Sequence, residues 1–239
     1  MPDILPSIFP PAIQSWFDQK GWKPHPHQLK MMEHQNASAA LLIAPTGSGK
    51  TMAGFLPSLV SLVEVPRQGM HTLYVSPLKA LAADIKRNLL TPINEIGLDI
   101  RVEERTGDTS ATQKKRQRVD PPQILLTTPE SLALLTSYED ISRMFSGLQR
   151  VVIDEIHALS ESKRGDQLML ALAAIHRICP ILRRVGLSAT VKDPSLAAKF
   201  LSYNSNHCEI IKLDTEAPAD VEMLQITETA PWMGSGGSY

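Results

Sequence analysis

The sequence predicts an α/β domain with a mainly parallel central sheet and helices on both faces. Two observations carry this. Short, almost wholly apolar runs alternate with longer helix-compatible stretches, as buried parallel strands joined by crossover helices do. Between the first such run, Ala40-Leu41-Leu42-Ile43, and the helical Met52-Ala53-Gly54-Phe55-Leu56 lies Ala44-Pro45-Thr46-Gly47-Ser48-Gly49-Lys50-Thr51, a phosphate-binding loop in the expected strand-to-helix setting.

The elements follow in order. Residues 2–26 are punctuated by proline and hold one helical segment, 12–20, with Ile13, Trp16 and Phe17 at helical spacing, which suits a cap on the core. Strands are expected at 40–44, 72–75, 99–103, 123–127, 150–154 and 183–188. Helices are expected at 51–65, 80–96, 109–119, 129–136, 167–178 and 195–201. The end, Met233-Gly234-Ser235-Gly236-Gly237-Ser238-Tyr239, reads as a flexible tail, either an interdomain linker or an expression scar. The expected organisation is a cap segment over 1–26, one nucleotide-binding domain over 27–228 and a tail or linker over 229–239.

At 239 residues and 43% hydrophobic the chain can bury a full core, and its net charge of −1 gives no global signal for nucleic acid. Any such binding must come from local patches. Cys179 and Cys208 lack metal-like spacing and read as reduced thiols, which suits the cytoplasm. No basic leader precedes an apolar stretch at the start, and no apolar run is long enough to span a bilayer, so a membrane is not expected.

In the phosphate loop Gly47 and Gly49 let backbone amides turn inward as an anion nest, with Thr46 and Ser48 completing it. Lys50 reaches the β and γ phosphates, and the Thr51 hydroxyl is placed for Mg²⁺. The run Arg150-Val151-Val152-Ile153-Asp154-Glu155-Ile156-His157 is a buried strand ending in two carboxylates. Asp154 suits the metal, through water, and Glu155 suits orienting and deprotonating an attacking water. A solvated turn would carry the same pair. Ser188-Ala189-Thr190, after the apolar Val185-Gly186-Leu187, can hydrogen-bond to the carboxylate and histidine side chains of the Asp154 segment.

Taken in order, the phosphate loop, Asp154-Glu155-Ile156-His157 and Ser188-Ala189-Thr190 resemble the first motor domain of superfamily 2 helicases of the DEXH-box type. Ser76-Pro77-Leu78-Lys79-Ala80-Leu81, Arg105-Thr106-Gly107-Asp108-Thr109, Thr127-Thr128-Pro129-Glu130-Ser131-Leu132 and Ser162-Lys163-Arg164-Gly165-Asp166 narrow the resemblance to large helicase-related (Lhr-type) proteins, most closely the ligase-associated branch. The resemblance runs from about Trp22 to Val191, and Ala230-Pro231-Trp232 resembles the passage to a second motor domain.

The resemblance implies a RecA-like P-loop domain that binds ATP and Mg²⁺ and acts, with a second RecA-like domain of the same full-length protein, on single-stranded or partly duplex DNA. It implies 3′ to 5′ movement, DNA repair and contact with DNA repair proteins. RNA is the alternative substrate, against which His157 leans, and a non-hydrolytic ATP-gated binding module is the alternative for the isolated chain. Gln28, in Pro24-His25-Pro26-His27-Gln28, resembles the glutamine that reads the adenine edge, although a surface or capping glutamine is also open. Trp22 suits stacking near the base or core packing. His157 resembles the residue that couples the nucleotide side to the nucleic-acid side through Ser188 and Thr190. Ser76, Pro77, Lys79, Gly107, Asp108, Thr128, Pro129 and Glu130 resemble the nucleic-acid contacts, at strand ends where amides and hydroxyls hold phosphates without reading bases. Lys114, Lys115, Arg116 and Arg118 offer either an electrostatic edge or a solvated face. Arg164 fits the family pattern without an evident role. Because the chain stops before a second motor domain that would supply arginine fingers, the isolated chain is expected to be nearly inactive.

Overall fold

The computed structural model describes residues 8–203 and 207–213, the side chains of 79–84 excepted. The proposed linker at 229–239 and the Ala230-Pro231-Trp232 segment lie outside them.

Seven parallel strands form one sheet in the order β3-β4-β2-β5-β6-β1-β7. They are β1 (Ala39–Ile43), β2 (Thr72–Val75), β3 (Val102–Arg105), β4 (Ile124–Thr127), β5 (Arg150–Ile153), β6 (Arg183–Ser188) and β7 (Cys208–Lys212). The helices are α1 (Pro11–Lys20), α2 (Pro26–Glu33), α3 (Lys50–Glu64), α4 (Lys79–Ile96), α5 (Ala111–Val119), α6 (Pro129–Leu135), α7 (Ile141–Phe145), α8 (Ile156–Leu159), α9 (Lys163–Ile178) and α10 (Pro194–Leu201).

Successive strand residues point to opposite faces, and both faces are covered. Leu42, Tyr74, Leu126, Val152 and Leu187 join one core with α1, α3 and α4, which contribute Trp16, Phe55, Leu59 and Leu89. Their neighbours Leu41, Leu73, Leu125, Val151 and Ile153 join a second core with α6, α9 and α10 through Leu132, Leu168, Leu172 and Leu201. This two-sided burial is why the strands read as continuous apolar runs. Helix α1 is fixed to α4 by polar contacts as well, since Glu95 accepts a 2.7 Å bond from Trp16 Nε1 and pairs with Lys20 at 2.7 Å.

Several elements differ from expectation, α7, α8 and the earlier start of α9 at Lys163 among them. β3 begins at Val102, three residues after its expected start, because the Arg101 amide is taken by the Gln123 side chain at 3.0 Å. β7 was not anticipated. It is an edge strand paired to β1 alone, and Glu209 and Lys212 leave no long apolar run to read. α2 was hidden by the prolines around it, yet Pro26 occupies a first-turn position, where a missing N–H costs nothing, and His25 and Gln28 form a capping box.

His71 is buried immediately before β2 and is bonded on both sides. The His71 amide donates to Gln123 O at 2.9 Å, and its carbonyl accepts from Gln149 N at 3.0 Å. Its ring meets Thr72 Oγ1 at 2.8 Å and Ser61 Oγ at 3.1 Å. Burial, followed by the charges of Arg150 and Arg67, pushes the imidazole down to about 3, so it is neutral in the fold. An unfolded histidine takes a proton near pH 6.5, so the unfolded state binds more protons below that value and stability falls as pH drops from about 6.5 toward 3. We expect this group to contribute a slope of about 1.4 kcal/mol per pH unit in that window. Urea denaturation from pH 7 to pH 5 should show the slope in the wild type and a shallower one in His71→Gln.

Gly165, in the first turn of α9, has no room for a side chain. A Cβ there would lie 2.0 Å from the Leu159 carbonyl oxygen, a backbone atom that cannot rotate away. Gly165→Ala should therefore lose at least about 2 kcal/mol, a fall in Tm of about 4–8 °C by thermal denaturation.

Candidate functional site

Because the sheet is parallel, the C-terminal ends of all its strands share one edge, and the in-register ladder continues one residue past them. Ala44 N bonds Ser188 O at 3.0 Å, Ser76 N bonds Thr127 O at 3.0 Å and Asp154 N bonds Val75 O at 2.9 Å. The chain therefore leaves β1, β2, β4, β5 and β6 along one row.

The β1 exit is the phosphate loop. Gly47 and Gly49 have φ of 81° and 79°, a left-handed backbone that glycine adopts without strain. Ser48 turns its hydroxyl to Pro45 O at 2.7 Å, closing the loop on itself. Thr46, Gly47, Gly49, Lys50 and Thr51 line one wall of a cavity of about 480 Å³, and Asp154 and Glu155 line another. Phe55, Ile85 and Leu89 add an apolar side.

Lys50 is 7% exposed, its ammonium has no hydrogen-bond partner, and its nearest opposite charge is Glu155 Oε1 at 4.0 Å. A buried ammonium without bonded partners is costly, and phosphate oxygens would satisfy it. Asp154 is buried, with Oδ1 accepting the Glu155 amide at 2.9 Å and Oδ2 accepting the Tyr74 hydroxyl. That phenol is stacked on Phe55 with ring centroids 5.0 Å apart, and burial beside Asp154 holds it well above its ordinary pKa, so it stays a donor. Sequence analysis missed Tyr74, which read only as a strand residue. Glu155 has φ 46°, the one left-handed non-glycine among the described residues, and this turn aims its carboxylate into the cavity. Its Oε2 has no hydrogen-bond partner.

His157 and Ser188, expected to act as a coupling pair, meet. Ser188 Oγ donates to Thr190 O at 3.0 Å, so the 2.9 Å contact with His157 Nδ1 is one in which the ring donates. His157 Nδ1 also lies 3.3 Å from Glu155 Oε2. No bond joins Ser188 to either carboxylate among those described. The Thr190 side chain is not engaged, and its carbonyl makes the link.

Gln28 is buried at 4% exposure, with Oε1 accepting the His25 amide at 2.9 Å and Nε2 against Gly49 of the loop. It caps α2 and abuts the phosphate loop from outside the cavity wall. Trp22 is neither core nor cavity lining. It is 56% exposed and packs edge-on against Trp16 with centroids 5.7 Å apart.

The other expected contacts lie on the β3-β4-β2 side of the same edge. Ser76 is buried, and its Oγ accepts from Leu78 N at 3.3 Å. Pro77 follows it, and Lys79 opens α4. Thr128 caps α6 by accepting Ser131 N at 3.3 Å, Pro129 is buried beside it, and Glu130 is exposed. Gly107 and Asp108 are exposed on the loop after β3, and the Gly107 carbonyl accepts from Lys114 Nζ at 2.9 Å. Arg116 pairs with Glu103 at 2.5 Å, and Arg118 pairs with Asp140 at 3.3 Å and lies 4.1 Å over the Tyr138 ring. Three of the four basic residues around α5 are thus engaged within the domain.

Residues 25–198 match the DEAD/DEAH box helicase family. The chain is 37% identical over 234 residues to the ATP-dependent helicase Lhr-Core of Methanocaldococcus jannaschii, covering 91% of this chain and 28% of that relative. It is 38% identical over 224 residues to the Lhr helicase/uracil glycosylase of Escherichia coli, covering 83% of this chain and 14% of the other. Its fold matches Mycobacterium smegmatis helicase Lhr bound to ssDNA and AMP-PNP with a TM-score of 0.81 at 37% identity, over 87% of this chain and 28% of that one. The chain thus spans between a seventh and under a third of the length of these Lhr-type proteins. With the phosphate loop, the Asp154-Glu155-Ile156-His157 turn and the Ser188 link on one edge of a RecA-like sheet, this chain belongs to the DEAD/DEAH box helicase family, with Lhr-type helicases among its relatives.

Proposed function

We propose that this chain is the ATP-binding first motor domain of an ATP-dependent DNA helicase or translocase, moving 3′ to 5′ within a longer cytoplasmic protein of DNA repair. The domain proper is taken as 27–228, with 1–26 as its cap and 229–239 as the passage toward a second RecA-like domain. The ligase-associated branch is part of this proposal, as is contact with DNA repair proteins. The observation that carries it is the buried, unbonded Lys50 ammonium facing Glu155 across the cavity.

ATP would enter with its phosphates against the amides of the glycine loop, and Lys50 would exchange its 4.0 Å carboxylate neighbour for phosphate oxygens. That exchange leaves Glu155 free to accept a proton from a water attacking the γ-phosphorus, as the bond to the ADP oxygen breaks. Thr51 and Asp154 fit a Mg²⁺ ion, since Asp154 is fixed by Tyr74 and the Glu155 amide and both residues line the cavity. Such an ion would neutralise phosphate charge during transfer. Gln28 is placed to act through the loop or at the base edge beyond it. Ser76, Pro77, Lys79, Gly107, Asp108, Thr128, Pro129 and Glu130 form the proposed path for a single strand along the β3-β4-β2 edge, with His157, Ser188 and Thr190 between the two halves. Anisotropy with labelled single-stranded DNA and RNA, with and without a non-hydrolysable ATP analogue, tests the substrate. Binding of neither strand would overturn the reading.

Lys50→Ala should weaken ATP-analogue binding at least about tenfold, because it removes the counter-charge for the phosphates. It should leave Tm no lower than wild type, since the ammonium makes no hydrogen bond to lose. Isothermal titration and a melting curve on the same preparation read both.

Glu155→Gln keeps the shape and the Asp154 site but removes the base. In the full-length protein it should retain nucleotide and Mg²⁺ binding while single-turnover hydrolysis slows by about a hundredfold or more. A normal rate would place the base elsewhere.

A further inference from the structure

Arg164 stands in the first turn of α9. Its guanidinium meets Glu130 side-on, Nε at 2.5 Å from Oε1 and Nη2 at 3.3 Å from Oε2. The same Nη2 donates to the Pro77 carbonyl at 2.8 Å. One side chain therefore ties together the loop after β2, the start of α6 after β4, and the helix that follows the Asp154-to-Leu159 turn. Resting on the nucleic-acid reading above, we propose that Arg164 is a positioning residue of that face: it neutralises Glu130 and holds Pro77, so that the two loops present their phosphate-binding groups in one arrangement free of net negative charge.

Three observations favour this over other roles. Glu130 is the carboxylate of the Thr128-Pro129-Glu130 segment, and an unpaired carboxylate beside a phosphate path repels the strand. The hydrogen bond from Arg164 holds the Glu130 carboxyl below the ordinary carboxylate range, so the pair is ionised at neutral pH. Second, the side chains are 43% and 47% exposed, and a pair so open to water adds little to stability. Its value lies in geometry. Third, bidentate grip on a carboxylate with a further bond to a carbonyl needs the planar fork of arginine, and lysine supplies only a point charge. The engaged guanidinium lies outside the lining of the nucleotide cavity, which sets it apart from a residue acting on the reacting phosphate.

The test uses this chain with a labelled oligothymidylate, Mg²⁺ and a non-hydrolysable ATP analogue, comparing wild type, Arg164→Ala, Arg164→Lys, Glu130→Gln and the Arg164→Ala/Glu130→Gln double variant. Nucleotide affinity should be equal in all five, which also verifies folding. Arg164→Ala should weaken the oligonucleotide about five- to tenfold. Arg164→Lys should recover part of that loss and the double variant most of it, because removing the carboxylate removes the repulsion. Hydrogen exchange at the Leu78 amide, which donates to Ser76 Oγ, should quicken in Arg164→Ala and stay fast in the double variant. If wild type binds but Glu130→Gln restores nothing to Arg164→Ala, Arg164 contacts phosphate directly and the proposal is wrong. Unchanged Leu78 protection in Arg164→Ala likewise removes the hold on Pro77. Failure of wild type to bind DNA or RNA overturns the functional reading itself, an outcome distinct from either.

Discussion

The in-register parallel sheet is the constraint on which the rest depends. A parallel sheet delivers every strand to the same edge, and the ladder bonds at Ala44, Ser76 and Asp154 fix where each chain leaves it. With apolar layers on both faces, polarity alone cannot choose the register. Close packing does so instead. Gly54 of α3 sits so near β5 and β6 that a Cβ would meet Leu187 at 3.0 Å and Val152 at 3.2 Å. A strand slipped by one residue would bring different side chains to that contact and carry Asp154 away from the Tyr74 hydroxyl on β2. Core packing thus positions the Asp154 carboxylate, proposed above to hold the metal ion.

Strand order then divides the labour. The proposed nucleotide groups come from β1 and β5, which flank β6, while the residues of the proposed phosphate path come from the adjacent β3, β4 and β2. Electrostatics follow the same partition. Net charge is −1, and Arg116, Arg118 and Arg101 pair with Glu103, Asp140 and Asp120. Lys50 differs, being buried without a bonded partner. A domain of this kind attracts an anion at a built cavity and not through a diffuse basic field, which fits the proposal that nucleic acid is held mainly by amides and hydroxyls.

How much of this was legible follows from the same physics. β2 and β6 matched their expected residues because each is flanked by strands on both sides and its composition is fixed by burial. The phosphate loop and the Asp154-Glu155 turn were legible because their chemistry demands particular residue types at fixed spacing. β7 was not, since an edge strand with one partner needs no uninterrupted apolar run. The short helices α7 and α8, of five and four residues, are too brief to display a period. Partners across the fold were also invisible. Tyr74 with Asp154 spans 80 residues, and Arg164 with Pro77 spans 87. The left-handed turn at Glu155 carries no glycine to announce it.

Two links leave the short stretch after β5, and they point in different directions. His157 reaches Ser188 on β6, inside the nucleotide half, whereas Arg164 reaches Pro77 and Glu130 in the other half. Between them lie only α8 and the Ser162 cap, whose hydroxyl accepts from Gly165 N at 3.2 Å and donates to Leu159 O at 3.0 Å. The missing side chain at Gly165 lets α9 press against the Leu159 carbonyl, so α8 and the first turn of α9 behave as one packed unit. In the proposed cycle, a shift of Glu155 on gaining or losing a phosphate neighbour would be felt first by His157, 3.3 Å away. The residue proposed to activate water and the residue proposed to arrange the strand path are nine positions apart on one compact corner.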